Sequence, residues 1–197
     1  MRLWTACKMT LVLTFLLGIV YPVAMTVFAR IVFPFQAEGS LIARDGQIVG
    51  SELIGQNFAL PAYFHDRPSA AGDKGYDATS SSGSNLSLTN KSFIDTVKQR
   101  VKDVVDKNPG VTPAQIPVDL VTASGSGLDP EISPAAAELQ VPRVAKARGL
   151  SEETVRSLVS ANSRARWAGI LGEPGVNVLE LNLALDEMAK GPRTASG

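Results

Sequence analysis

The chain has 197 residues, with 19 Lys+Arg against 19 Asp+Glu, one His and one Cys. The balance excludes the basic excess of a dedicated nucleic-acid binder, so no nucleic-acid partner is expected. Because its only Cys is Cys7, the body of the chain has no thiol for a disulfide, a thiolate metal site or thiol catalysis.

Charge is spread unevenly, and Met9 to Ala29 carries none. Leu11, Leu13, Phe15, Leu16, Leu17, Ile19, Val20, Val23, Val27 and Phe28 populate this run. Each is worth about −0.3 to −0.6 kcal/mol of insertion free energy, enough together to outweigh Thr14, Gly18 and Pro22. As a helix rising ~1.5 Å per residue the run reaches ~31 Å, the depth of a bilayer core. Residues 9–35 are therefore predicted to form a single transmembrane anchor after a short N-terminal stretch, 1–8. A cleaved signal peptide has an apolar stretch of only ~7–15 residues, although Val27-Phe28-Ala29 offers a cleavage-like site whose use would release a secreted binding protein. Arg2, Lys8 and the α-amino group precede the run with no acid nearby, whereas Arg30 is soon followed by Glu38, Arg44 and Asp45. The positive-inside rule then places the N-terminus in the cytoplasm and residues 36–197 outside. Gly18 and the Ala24 to Thr26 region give small side chains for close helix contact in lipid. Leu13, Leu17 and Gly18 are the candidate partner contacts on the anchor.

The remaining ~160 residues suffice for one globular domain with its own core. Leu41 to Arg44 and Gln47 to Gly50 read as a hairpin around Asp45-Gly46, with Glu52 to Ile54 continuing as strand. Phe58 to Asn90 is rich in Gly, Ser, Asp and Pro and reads as a long loop, which in a compact domain tends to be functional or disordered. Phe93, Ile94, Val97, Val101, Val104 and Val105 recur at helical spacing, with Thr89 as the expected cap and Leu88 with Phe93 as a hydrophobic staple. Asn108-Pro109-Gly110 stops that helix. Val118 to Thr122 is expected to be a strand. Ser133-Pro134 opens a helix that Pro142 should kink or restart, and Ser151 opens another, with Leu150 and Val155 as its staple. Leu179, Leu181, Leu183 and Leu185 alternate with Glu180, Asn182 and Ala184, a strand pattern. The predicted class is α+β: one N-terminal transmembrane helix followed by a single mixed α/β soluble domain.

Catalytic motifs are missing. There is no P-loop, no Asp-Lys-Thr-Gly, no Gly-x-Gly-x-x-Gly and no His-Glu-x-x-His. A Ser-His-Asp hydrolase would have to use His65, in Tyr63-Phe64-His65-Asp66-Arg67-Pro68, with one of the loop serines; a lone His in a polar loop is more simply structural or exposed. Ser80 to Ser87 carries hydroxyls and backbone amides suited to an anion or another chain, or else to a flexible surface loop. Gly125 to Pro130 reads as a turn delivering the chain to Ser133. Arg143, Lys146 and Arg148 form a small cationic patch expected on a solvated helix face.

Several ordered blocks are more specific than any one motif. They are Gly50-Ser51-Glu52-Leu53-Ile54-Gly55-Gln56, Tyr63-Phe64 with Arg67-Pro68-Ser69-Ala70, Gly83-Ser84-Asn85-Leu86, and Val121-Thr122-Ala123-Ser124 with Ser126-Gly127-Leu128-Asp129. Pro142 to Arg148 and the tail Val176 to Asp186 complete the set. Together they resemble the C subunit of the Kdp potassium-transporting ATPase, from the anchor to Met188. The chain departs from that family at Leu139, where an aromatic is common, and at Ser82, where a second Gly is common.

The resemblance implies a non-catalytic subunit of a bacterial inner-membrane complex, assembled with a channel-like subunit that selects K⁺ and a P-type ATPase subunit that hydrolyses ATP. It also implies a catalytic chaperone that raises the ATPase subunit's affinity for ATP, with Ser82, Gly83, Ser84 and Asn85 as candidate nucleotide contacts. ATP on the cytoplasmic side and a domain outside are incompatible with direct contact, so the influence is expected to travel through the complex, with no cofactor held firmly by this chain. Ser84, Asn85, Leu86, Arg143 and Lys146 are the expected partner surface of the domain. Three cations, Arg2, Lys8 and Arg30, lie in or before the anchor, leaving 16 Lys+Arg against 19 acids beyond it, a balance compatible with a cation entrance. A membrane-anchored periplasmic hydrolase, or a binding protein unrelated to K⁺ transport, is the competing reading.

Overall fold

The computed structural model describes residues 2–189. The α-amino group used for orientation, and residues 190–197 of the expected domain, lie outside the described residues. The chain divides into two compact units, with the boundary after Ser51.

The first unit begins with one 31-residue helix, Arg2–Val32. It comprises α1 (Arg2–Phe15), a π-helical turn (Leu16–Val20) and α2 (Tyr21–Val32). None of its residues is buried. A helix apolar on all sides is suited to lipid, and among the described residues it is the only one long and apolar enough to cross a membrane. The π turn has a local cause. Pro22 lacks an N–H, and its ring would strike the carbonyl four residues back, at Gly18, in a regular helix. The wider turn just before the proline, closed by Tyr21 N–H donating to the Leu16 carbonyl, relieves this crowding. The Thr26 hydroxyl donates to the Pro22 carbonyl at 2.7 Å.

After a short α3 (Pro34–Ala37), β1 (Leu41–Arg44) and β2 (Gln47–Ser51) pair antiparallel as the sequence predicts, with a bulge between Ile42 and Ala43. Asp45 and Gly46 take φ of +51° and +80°, the left-handed pair that a tight hairpin turn requires. Glu52 to Ile54 do not extend β2. They open the second unit instead, where Asn177 Nδ2 donates to the Glu52 carbonyl at 2.8 Å and takes that backbone group out of any ladder.

Residues 52–90 contain no helix or strand. The first helix of the domain, α4 (Lys91–Lys107), is capped by Asn90, whose Oδ1 accepts from the backbone N–H of Ser92 and Phe93. The expected cap, Thr89, lies one residue too early, and with it the Leu88–Phe93 staple register is lost. Val118 to Thr122 is not a strand; Pro117 leads into a 3₁₀ turn, Val118–Leu120, closed by the Thr122 hydroxyl donating to the Val118 carbonyl. Strand β3 (Glu131–Ile132) leads to α5 (Pro134–Arg148) and α6 (Glu152–Ala161), then β4 (Ser163–Arg164), β5 (Gly175–Asn177) and α7 (Val178–Ala189). The three strands form an antiparallel sheet in the order β3-β5-β4.

The expected restart of α5 at Pro142 and the expected strand at Leu179–Leu185 are both absent, for the same reason. Helix α5 runs through Pro142 without a restart. The missing hydrogen bond is outweighed by Ala136, Ala137, Val141, Val144 and Ala145, all buried in the core. The Leu179–Leu185 segment is helix α7, not a strand. Its buried positions are Val178, Leu179, Leu181, Asn182 and Leu185; 178, 181, 182 and 185 form a helical stripe once Asn182 is counted as an inward residue. Ser133 and Ser151 cap α5 and α6 as expected, accepting from Ala136 and Thr154 N–H. Gly149, at φ +66°, ends α5 with Leu150 N–H returning to the Ala145 carbonyl. The core joins α5, α6 and α7 to Ile132, Val176 and one coil residue, Phe64.

Candidate functional site

The domain's polar interior is organised around Pro61 to Asp66, a coil segment that buries Phe64 completely. Buried backbone groups need partners, and here side chains of two helices supply them. From α7, Asn182 Oδ1 accepts the Phe64 N–H at 2.8 Å and Nδ2 donates to the Phe64 carbonyl at 3.0 Å. From α5, Gln140 does the same for His65, at 2.8 and 3.1 Å. These two amides replace the neighbouring strands that the segment lacks.

Arg143 completes the clasp. It donates to the Pro61 and Tyr63 carbonyls at 2.6 and 2.9 Å, to Asn108 Oδ1 at 3.1 Å and to Gln140 Oε1 at 2.6 Å. Expected on a solvated face, it is instead 9% exposed. Burial lowers its pKa to about 10, which leaves it charged at neutral pH. Arg148 is also engaged, donating to the Ala62 carbonyl and pairing with Asp186 at 2.8 Å, with its guanidinium over the Tyr63 ring. Of the three cations only Lys146 is exposed. The arginines' task was not visible from the sequence, because i, i+3 and i, i+5 spacing along α5 does not reveal which coil carbonyls fold against it.

Beside the clasp lies a cavity of about 240 Å³ lined by His65, Asp66, Tyr76, Arg100, Lys107 and Asn108 among others. Two of its titratable groups, His65 and Asp66, are pushed in opposite senses. Burial, reinforced by Arg143, lowers His65 to about 4, and its Nε2 lies 3.2 Å from the Leu60 carbonyl. Burial raises Asp66 to about 7, opposed by the Arg67 backbone N–H, which donates to Oδ1. At neutral pH the imidazole is uncharged. Among the described residues no group of three or more His, Cys, Asp or Glu is arranged to hold a metal ion.

The Gly/Ser loop is half of a two-loop clamp. Ser82 N–H and Ser81 Oγ both donate to the Ser126 carbonyl, at 2.9 and 3.0 Å. A Cβ on Gly127, which sits at φ +68°, would lie 2.5 Å from the Ser82 carbonyl. The Ser82 amide is thus spent inside the domain, while Ser84, Asn85 and Leu86 are exposed beyond the clamp. On the anchor, Leu13 and Leu17 are exposed, and a Cβ on Gly18 would meet nothing within 4 Å.

The family model described as "K+-transporting ATPase, c chain" matches residues 3–187. Similar relatives carry the name Potassium-transporting ATPase KdpC subunit. One from Rhodopseudomonas palustris (strain BisB18) is 59% identical over 192 residues, covering 92% of this chain and 95% of its own length. One from Caldanaerobacter subterraneus subsp. tengcongensis is 55% identical over 183 residues, covering 93% of each chain. A third, from Gemmatimonas aurantiaca, is 55% identical over 184 residues, covering 93% and 92%.

Proposed function

Because the chain belongs to the KdpC family, the c chains of the K⁺-transporting ATPase, we propose that it serves that complex as a non-catalytic accessory subunit with its domain on the periplasmic face. Its partners on this reading are the K⁺-translocating channel-like subunit and the P-type ATPase subunit. It stabilises their assembly and raises the ATPase subunit's affinity for ATP indirectly, through the complex. The observation that carries the reading is the apolar Arg2–Val32 helix, the one such helix among the described residues and with no buried residue, which carries Arg2 and Lys8 in its first turns and is followed by no acid until Glu38. Leu13, Leu17 and Gly18 on the helix, and Ser84, Asn85, Leu86 and Lys146 on the domain, are its partner surface. Arg143 contributes through the fold that it holds. Ser82 to Asn85 as a nucleotide contact fits less well, since the Ser82 amide is engaged by Ser126 and the domain lies across the bilayer from cytosolic ATP.

A Cys at position 81, with Cys7→Ser, tests sidedness. It should react with a membrane-impermeant thiol reagent in intact spheroplasts; labelling only after the inner membrane is broken reverses the orientation. Measuring the complex's ATP affinity with and without this chain tests the chaperone role, and equal affinities refute it. The hydrolase reading needs His65 as a base, and a half-buried ring with a pKa lowered to about 4 and its Nε2 against the Leu60 carbonyl supports it poorly.

A further inference from the structure

Between β4 and β5 the chain leaves the domain in an excursion whose residues, 165–174, are all exposed. At its tip stand Trp167, Ile170 and Leu171, exposed by 74%, 75% and 56%. None of the three belongs to the core, so the fold gives no reason for their apolar character. The turn is nevertheless ordered by its own backbone. Trp167 and Leu171 exchange hydrogen bonds, N–H to carbonyl at 2.8 Å and back at 3.0 Å, and Gly169 N–H returns to the Arg166 carbonyl at 3.0 Å. The flanking charges are paired within the domain, Arg166 with Glu173 at 2.8 Å and Arg164 with Glu131 at 2.9 Å.

We propose that the Trp167–Leu171 turn is a membrane-interface contact, its apolar tip seated at the headgroup–acyl boundary of the bilayer that the Arg2–Val32 helix crosses. This rests on the anchor reading above. Three features favour lipid over protein as the occupant. Four of the five backbone N–H groups from Trp167 to Leu171 are paired within the turn, which limits the hydrogen bonding to water lost when it enters a less polar layer, while the carbonyls of 168–170 can stay on the wet side. Trp is the side chain suited to that depth, with an apolar body and one N–H for the wet side, and the adjacent arginines are already neutralised. A protein interface usually buries about 800 Å² and 20–30 residues per side, far more than a convex tip of three side chains offers, whereas an interfacial contact scales with whatever apolar area is inserted. The anchor supplies proximity, since the linker after Val32 keeps the domain within tens of Å of the membrane.

Trp4 and Trp167 are the only two tryptophans, so full-length W4F reports on Trp167 alone. Reconstituted in vesicles of phosphatidylcholine brominated in its acyl chains, its emission should fall about twofold relative to unbrominated vesicles, and acrylamide quenching should be correspondingly weak. I170D/L171D should abolish the bromolipid effect while leaving the domain's thermal unfolding midpoint in place. Free quenching by acrylamide with no response to bromolipid overturns the proposal. So does protection of a dye at W167C, on a Cys7→Ser background, only when the other subunits are present, which would make the turn a protein contact. An alkaline carbonate wash separates the premises: a chain extracted by it refutes the anchor and this inference together, whereas a retained chain with an unquenched Trp167 refutes this inference alone.

Discussion

From Leu11 to Phe28 every leucine, valine and phenylalanine is exposed, whereas Val141, Val144, Val155, Val176 and Val178 in the domain have no exposed surface at all. The same side chains serve both regions, and what separates them is the polar company they keep. In the anchor the backbone satisfies itself, and the Thr26 hydroxyl bonds the carbonyl four residues back. In the domain a coil segment is packed into the core, and Gln140, Arg143 and Asn182 are buried to satisfy it. The helix's structure is therefore set by its own backbone, the domain's by a few hydrogen-bonded side chains.

The most severe way to break this contrast is Arg143→Ala. It leaves the Pro61 and Tyr63 carbonyls and Asn108 Oδ1 without that donor, while Gln140 Oε1 keeps only the His65 N–H, and should cost about 1–3 kcal/mol of domain stability for each group left unsatisfied, read by urea unfolding of the bilayer-embedded chain. Arg143→Lys should recover little, because one ammonium cannot reproduce the planar fork. The helix should stay inserted in both variants; its loss from the membrane would contradict the division. The converse change is Leu17→Arg, expected to cost ~2.5–3.5 kcal/mol of insertion near the helix centre. Recovery of the complex should drop while domain unfolding stays put, and normal recovery would remove the anchor from assembly. Next comes Asn182→Leu, which keeps the helical stripe apolar but orphans both backbone groups of Phe64. A loss of about 2 kcal/mol is expected, and a neutral outcome would show that the amide is dispensable.

Smaller effects come from the pair beside the cavity. Asp66, raised to about 7 by burial, binds its proton more tightly folded than unfolded, so its contribution to stability is full below pH 3.8 and is lost as pH rises towards 7. His65, lowered to about 4, works the other way: its contribution is full above pH 6.5 and is lost as pH falls towards 4. Between about pH 4 and 6.5 the two slopes oppose each other. His65→Gln should expose a stability that falls with rising pH, and Asp66→Asn one that rises; parallel profiles for the two variants would refute the opposition. Least of all, Lys146→Ala should leave stability within about 0.5 kcal/mol while weakening assembly if it is a partner contact.

Several patterns that one segment alone sets were readable, although the α4 cap fell on Asn90 instead of Thr89 and Pro117 led Val118–Leu120 into a 3₁₀ turn instead of a strand. The uncharged run, the Asp45-Gly46 turn, and the Ser133 and Ser151 caps all appear where local chemistry puts them. The other failures occur where a distant residue decides. Asn182 looks like an outward strand position until Phe64, 118 residues away, is seen to need both faces of its amide. Pro142 looks like a break until the buried length of α5 is known, and Arg143 looks solvated until the coil carbonyls fold against it. The Ser80–Asn90 loop was recognisable as irregular, but its clamp onto Ser126 depends on a pairing that neither loop announces.

The Asn182–Phe64 contact also sets a timetable for biogenesis. At about 5–20 residues per second of synthesis, Phe64 emerges several seconds or more before its amide partner exists. Throughout that interval the anchor, made first and complete in itself, is ready to enter the membrane, while the domain's central coil has nothing to close on. On the proposed anchor reading insertion precedes folding, and the domain finishes only when α7 arrives. A nascent chain stalled before Asn182 would hold its first helix complete and its domain unfinished.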